Sequence, residues 1–167
     1  YYSAAAGNRF PYVLCTSINE VVIHGMPSAK QVLRKGDILS IDTGLALEGY
    51  YGDSAVTVAV GEISADRQKL LDVTKESLEL AIEQARPGNR LFDISRSVEG
   101  HVLKNGFTIV REFVGHGIGT KLHEEPQVPN YVDRSSENPK LKEGMVLAIE
   151  PMVNLGQPET KVLNDKW

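Results

Sequence analysis

The sequence predicts an α+β domain in which short strands flank a pair of helices. Three observations carry that prediction: an Ile-, Val- and Thr-rich stretch over 37–60 with Glu48-Gly49 near its middle, helical apolar spacing over 64–105, and strand-like runs at 107–114 and 145–153. In chain order, 37–60 reads as two antiparallel strands joined by a hairpin and closed by Gly61. Ser64 is a candidate N-cap, after which Leu70, Leu71, Thr74, Leu78, Ala81, Ile82 and Ala85 recur three and four residues apart until Arg86-Pro87-Gly88 ends the pattern. A second amphipathic helix runs from Leu91 through Ile94, Val98, Val102 and Leu103 to Asn105-Gly106, a suitable C-terminal stop. Between 124 and 140, Pro126, Pro129 and Pro139 among polar residues predict a surface excursion or lid.

A chain of 167 residues, 41% hydrophobic and 24% charged, fits a single soluble globular domain. With 18 Lys and Arg against 22 Asp and Glu, the net charge of -4 excludes a global basic field for nucleic acid or an acidic membrane. Cys15, the single cysteine, excludes an intrachain disulfide framework and suits a reducing compartment. No apolar run approaches the roughly 18 residues of a membrane helix, and no signal peptide is visible. The chain opens Tyr1-Tyr2-Ser3 and stops at Asn164-Asp165-Lys166-Trp167, so both ends read as cut from something longer.

An internal repeat is present. Leu33–Asp42 (LRKGDILSID) aligns without gaps to Leu141–Glu150 (LKEGMVLAIE), with four identities. Each copy is a charged turn with Gly, an apolar strand and a terminal carboxylate, and a pseudo-twofold between two halves of the domain would bring Asp42 and Glu150 to a common centre.

Carboxylates stand where a core is expected. Asp42 follows Ile38-Leu39-Ser40-Ile41 and Asp53 precedes Ser54-Ala55-Val56-Thr57-Val58, so both lie within strands. A loop at Leu47-Glu48 places them directly opposite, and one at Glu48-Gly49 offsets them by two positions; parity puts both on one face either way. Like charges so close need a shared proton, an Arg or Lys, or a metal ion. Gly115-His116-Gly117-Ile118-Gly119 sets an imidazole between glycines, His123-Glu124-Glu125-Pro126 offers a second, and Glu150-Pro151-Met152 ends an apolar strand on a carboxylate. This oxygen-rich, imidazole-poor donor set suits Mn, Fe(II) or Co(II) better than structural zinc.

Together, Ser17–Gly25 (SINEVVIHG), the aspartates 42 and 53, GHGIG at 115–119, HEEPQV at 123–128 and IEPM at 149–152 resemble methionine aminopeptidase of the bacterial type I form, in order along the whole chain. The resemblance implies the pita-bread fold, a creatinase/aminopeptidase architecture of two related halves, here a single catalytic domain over 1–167 that is incomplete at both ends. It implies metal-dependent removal of N-terminal methionine by two divalent ions (Co, Mn or Fe(II)), with Asp42, Asp53, His116 and Glu150 as ligands. Glu150 would also take a proton from the attacking water, His123 would bond the substrate carbonyl or its oxyanion, and His24 would reach the peptide nitrogen or leaving amine. Phe10, Cys15, His24, Leu122 and Trp167 would line the methionine pocket. Leu122 stands where the family commonly has an aromatic residue, and Ala4 near where it often has cysteine. His101 matches no family position and is read as a surface residue.

The family's fifth ligand, a bridging glutamate, falls beyond Trp167, so the chain as written is expected to bind metal poorly or to be inactive. The implied substrate is a peptide or nascent chain with N-terminal Met and a small second residue, met near the ribosome by a cytoplasmic monomer without direct nucleic-acid or membrane binding. The competing readings are a prolidase-like Xaa-Pro peptidase of the same fold and a non-catalytic pita-bread binding module.

Overall fold

A computed structural model describes residues 2–3, 8–164 and 167; Ala4, Asp165 and Lys166 lie outside the described residues. A short antiparallel pair, β1 (Tyr2–Ser3) and β2 (Asn8–Arg9), leads into a three-stranded antiparallel sheet of β3 (Cys15–Ile18), β4 (Ile38–Leu47) and β5 (Tyr50–Ala59), with β4 central. Leu47 pairs with Tyr50 across a two-residue loop in which Glu48 (φ 51°) and Gly49 (φ 85°) are both left-handed. This is the geometry whose twist matches that of a hairpin. It also selects one of the two registers open from the sequence: Asp42 lies opposite Ala55 and Asp53 opposite Gly44, offset by two on the same face.

Helices α1 (Ala65–Gln84) and α2 (Leu91–Lys104) come next in the chain and pack on each other. The Ser64 hydroxyl accepts from the Arg67 N–H at 3.3 Å, the N-cap expected. The buried stripe of α1 differs from the one expected: Val73, Ser77 and Ala81 face inward, whereas Ile82 is 55% exposed. Ser77 can be buried because its hydroxyl donates to the Thr74 carbonyl at 2.7 Å, so a stripe traced on apolar residues alone is rotated away from the true one. At the start of α2, the Arg90 N–H donates to the Asp93 carboxylate at 2.8 Å, and Leu91, Ile94, Val98 and Val102 face inward.

The chain then forms β6 (Thr108–Ile109), β7 (Gly115–Gly117), β8 (Glu124–Val128), β9 (Leu147–Ala148) and β10 (Val153–Asn154). β7 is central between β8 and β9, and β6 pairs with β10. The strands expected over 107–114 and 145–153 shrink to these short segments, because ladder pairing persists only where an antiparallel neighbour lies alongside. The loop expected over 124–140 is corrected more sharply. Its first five residues are β8, and Val128, Pro129 and Asn130 are buried, with the Pro129 carbonyl accepting from Ser95 of α2 at 2.7 Å. The surface excursion is confined to residues beyond Asn130.

One apolar core joins the helices to this second half: Val73, Ala81, Ile94, Val98 and Val102 pack with Phe107, Ile109, Val128 and Leu141. The β3–β4–β5 sheet is far more open, with Leu45, Leu47, Tyr50 and Val56 all more than half exposed. The two copies of the repeat build the same turn. Asp37 N–H bonds the Arg34 carbonyl at 3.0 Å and Met145 N–H bonds the Lys142 carbonyl at 3.3 Å, each across a left-handed glycine, Gly36 (φ 102°) or Gly144 (φ 84°).

Candidate metal centre and cleft

His116 sits in the middle of β7. A side chain at Gly115 would strike the Ala148 carbonyl oxygen and one at Gly117 the Glu125 carbonyl oxygen, so the flanking glycines let β9 and β8 close on both sides of the imidazole. His116 Nδ1 lies 2.8 Å from the Gly117 carbonyl, which can only accept; Nδ1 therefore carries the proton and Nε2 presents its lone pair. That Nε2 faces a carboxylate oxygen of Glu150 at 3.2 Å and one of Asp53 at 3.6 Å. Ligand atoms of Asp53, His116 and Glu150 all lie within 4.8 Å of one another. Glu150 Oε1 is buried with no hydrogen-bond partner among the described residues. Two carboxylate oxygens and an imidazole lone pair turned on each other repel unless a proton or a metal cation sits among them, and this donor chemistry fits a divalent metal.

Electrostatics obey the same geometry. Burial, then the charges of Asp53 and Asp42, push the Glu150 carboxyl up to about 8. Asp42 is outside the tight group of three but lines the same cleft, of about 810 Å³, together with His24, Asp53, His116, His123 and Glu150. The residues expected to hold metal and to act on substrate therefore converge. His123 stacks edge-on to His116 with ring centroids 4.3 Å apart, and burial, then repulsion whenever His116 is protonated, lowers its pKa. Burial likewise holds His24 below the usual imidazole range, against the pull of Asp42. Both rings are thus biased toward the neutral form, which can donate one hydrogen bond and accept another.

The expected side-chain pocket divides. Phe10, Cys15 and Leu122 line a separate cleft of about 290 Å³ with Tyr51 and Leu45. Trp167 reaches both sides, edge-on to Phe10 at 5.1 Å and to His24 at 6.2 Å. Cys15 pairs with Asp42 in the ladder, and burial, with Asp42 next, pushes its thiol up to about 12, so the thiolate is disfavoured there. His101 lies on α2, where Nε2 meets the Glu76 carboxylate at 3.0 Å, away from the cleft.

The model of metallopeptidase family M24 matches residues 2–164. The chain belongs to metallopeptidase family M24. A methionine aminopeptidase of Clostridium acetobutylicum is 54% identical to this M24 chain over 158 residues, 95% of the chain and 63% of that relative. The crystal structure of methionine aminopeptidase from Thermotoga maritima superposes with a TM-score of 0.88 at 45% identity, covering 92% of the chain and 61% of that structure. Prolidase from Pyrococcus horikoshii OT3 superposes at 0.73 with 26% identity, over 84% of the chain and 40% of that structure. The M24 chain thus spans under two thirds of the length of these two methionine aminopeptidases. The fold is the pita-bread architecture, and its Asp, His and Glu donors support divalent-metal use.

Two neighbours of the site escape sequence reasoning. Phe113 lies edge-on to His24 at 6.3 Å, and Asn130 donates from Nδ2 to the Glu150 carbonyl at 2.7 Å. An isolated Phe in a predicted strand and an Asn among prolines carry no signal that separates them from packing and loop residues.

Proposed function

We propose that this M24 domain removes N-terminal methionine from peptides and nascent chains whose second residue is small. The observation that carries the reading is the convergence on one cleft of Asp42, Asp53, His116 and Glu150 with two histidines held toward the neutral form. Asp42, Asp53, His116 and Glu150 would hold two divalent ions, with Asp53, His116 and Glu150 the tightest group of donors. Co, Mn or Fe(II) bound there supplies Lewis acidity, lowering the pKa of the attacking water and polarising the scissile carbonyl.

The chain's own groups do the rest. Glu150, ionised once a cation offsets its burial, is placed to accept the proton of the attacking water. His123 donates a hydrogen bond to the carbonyl oxygen as negative charge builds on it. His24 contacts the peptide nitrogen, and the proton taken from water leaves with the new amine. Phe10, Cys15 and Leu122 of the smaller cleft, with Trp167 between Phe10 and His24, offer the apolar, polarisable surface that a thioether suits. We place the enzyme in the cytoplasm, as a monomer near the ribosome where nascent chains appear.

A Xaa-Pro peptidase activity is the second reading, favoured by the likeness to prolidase, but identity and superposition both weigh toward methionine aminopeptidase. Given Met-Ala-Ser and a Xaa-Pro dipeptide with Mn²⁺ or Co²⁺, the full-length protein is expected to release methionine from the first. Preference for the second would end the methionine reading.

A further inference from the structure

We propose that Asn130 is a positioning residue for the metal centre: its buried carboxamide holds the backbone of Glu150, and so fixes the reach of that ligand. The proposal rests on the reading of Glu150 as a ligand. β9 ends at Ala148 and β10 begins only at Val153, so Glu150 lies outside both ladders. Its carbonyl is held instead by the Asn130 amide, at 2.7 Å. A carbonyl can only accept, which assigns the nitrogen of that amide to the Glu150 side.

The other end of the amide shows what the residue is for. Asn130 is 1% exposed, and its Oδ1 is buried without a hydrogen-bond partner among the described residues. A buried acceptor left unpaired costs stability, and an apolar side chain of the same shape would avoid that cost while giving up the donor. The residue thus trades stability for one hydrogen bond, and that bond ends on Glu150. Asn130 is itself anchored, because the neighbouring Pro129 carbonyl accepts from Ser95 Oγ, fully buried on α2, at 2.7 Å. Glu150 is therefore placed relative to the helical core and not by its own strand. Partners that orient a metal ligand in this way are commonly worth about tenfold or more in metal affinity.

Calorimetric titration of the full-length protein with Mn²⁺, alongside thermal melting of the metal-free form, tests this. Asn130→Leu is expected to weaken Mn²⁺ binding about tenfold with an unchanged or higher Tm, while Tyr131→Phe, in the same segment, stays within about twofold of wild type. Unchanged Mn²⁺ affinity in Asn130→Leu, or an equal loss in Tyr131→Phe, overturns the proposal. If Asn130→Leu does not fold, Asn130→Ser is judged by the same criterion. Glu150→Gln in the same titration separates the two readings. Lost affinity there beside intact affinity in the Asn130 variant removes the positioning role alone, and unchanged affinity in Glu150→Gln removes the ligand assignment and the proposal with it.

Discussion

Leu33–Asp42 and Leu141–Glu150 share a sequence pattern and a turn, yet the protein supports their carboxylates by different means. Asp42 lies inside a ten-residue strand, paired with Cys15 on one side and Ala55 on the other, so the ladder places it. Glu150 lies two residues past a two-residue strand and is held by a side-chain amide. Burial is reversed as well: Leu33 is 40% exposed, whereas its counterpart Leu141 is 5% exposed and part of the core. A repeated motif thus brings a carboxylate to the same cleft from an open sheet on one side and a packed core on the other.

The widest gap between the copies should appear in stability. Leu141→Ala is expected to cost about 3 kcal/mol by leaving a cavity, and Leu33→Ala less than about 0.5 kcal/mol, in urea unfolding at neutral pH. Equal losses would contradict the asymmetry. Next, the two halves should contribute alike to metal binding: Asp53→Ala, from the open sheet, and His116→Ala, from the packed side, are each expected to weaken Mn²⁺ binding of the full-length protein by at least about a hundredfold. Loss in only one of them would place the ion within one half.

The turns should behave alike. Gly36→Ala and Gly144→Ala each force a β-carbon into a left-handed conformation with no contact closer than 3.9 Å, so both are expected to lose about 1–2 kcal/mol, read by thermal melting. The smallest difference concerns acid. The Asp37 carboxylate accepts from the Asn19 side chain at 2.9 Å and the Arg34 N–H at 2.8 Å, which hold its pKa below the usual carboxylate value. A depressed folded pKa adds stability that is present above the unfolded pKa and lost as pH falls through the folded one. Asp37→Asn should therefore narrow the stability difference between pH 6 and pH 3, whereas Met145→Leu, at the matching place in the second copy, should leave it unchanged.

Much of this is legible in the residues. Alternation over 37–60 and the Glu48-Gly49 turn place two aspartates on one face, and the repeat by itself pairs Asp42 with Glu150. The illegible part depends on partners distant in sequence or on closed hydrogen bonds. Ser77 reads as polar until its hydroxyl is seen closed on Thr74, which is why apolar spacing draws the inner stripe of α1 through Ile82. Residues 124–130 read as a loop because their prolines signal turns, while their pairing with β7 and their burial against Ser95 are tertiary facts. Asn130 is invisible for the same reason, since a carboxamide becomes informative only once its burial and its hydrogen bond to Glu150 are known.

Convergence of the two halves on one divalent-metal centre is open to a decisive measurement. Anomalous diffraction at the Mn absorption edge, from crystals of the full-length protein grown with Mn²⁺, tests it directly. A peak is expected within coordinating distance of the Asp53, His116 and Glu150 ligand atoms; ordered protein with no peak there, or metal bound only elsewhere, would overturn that convergence.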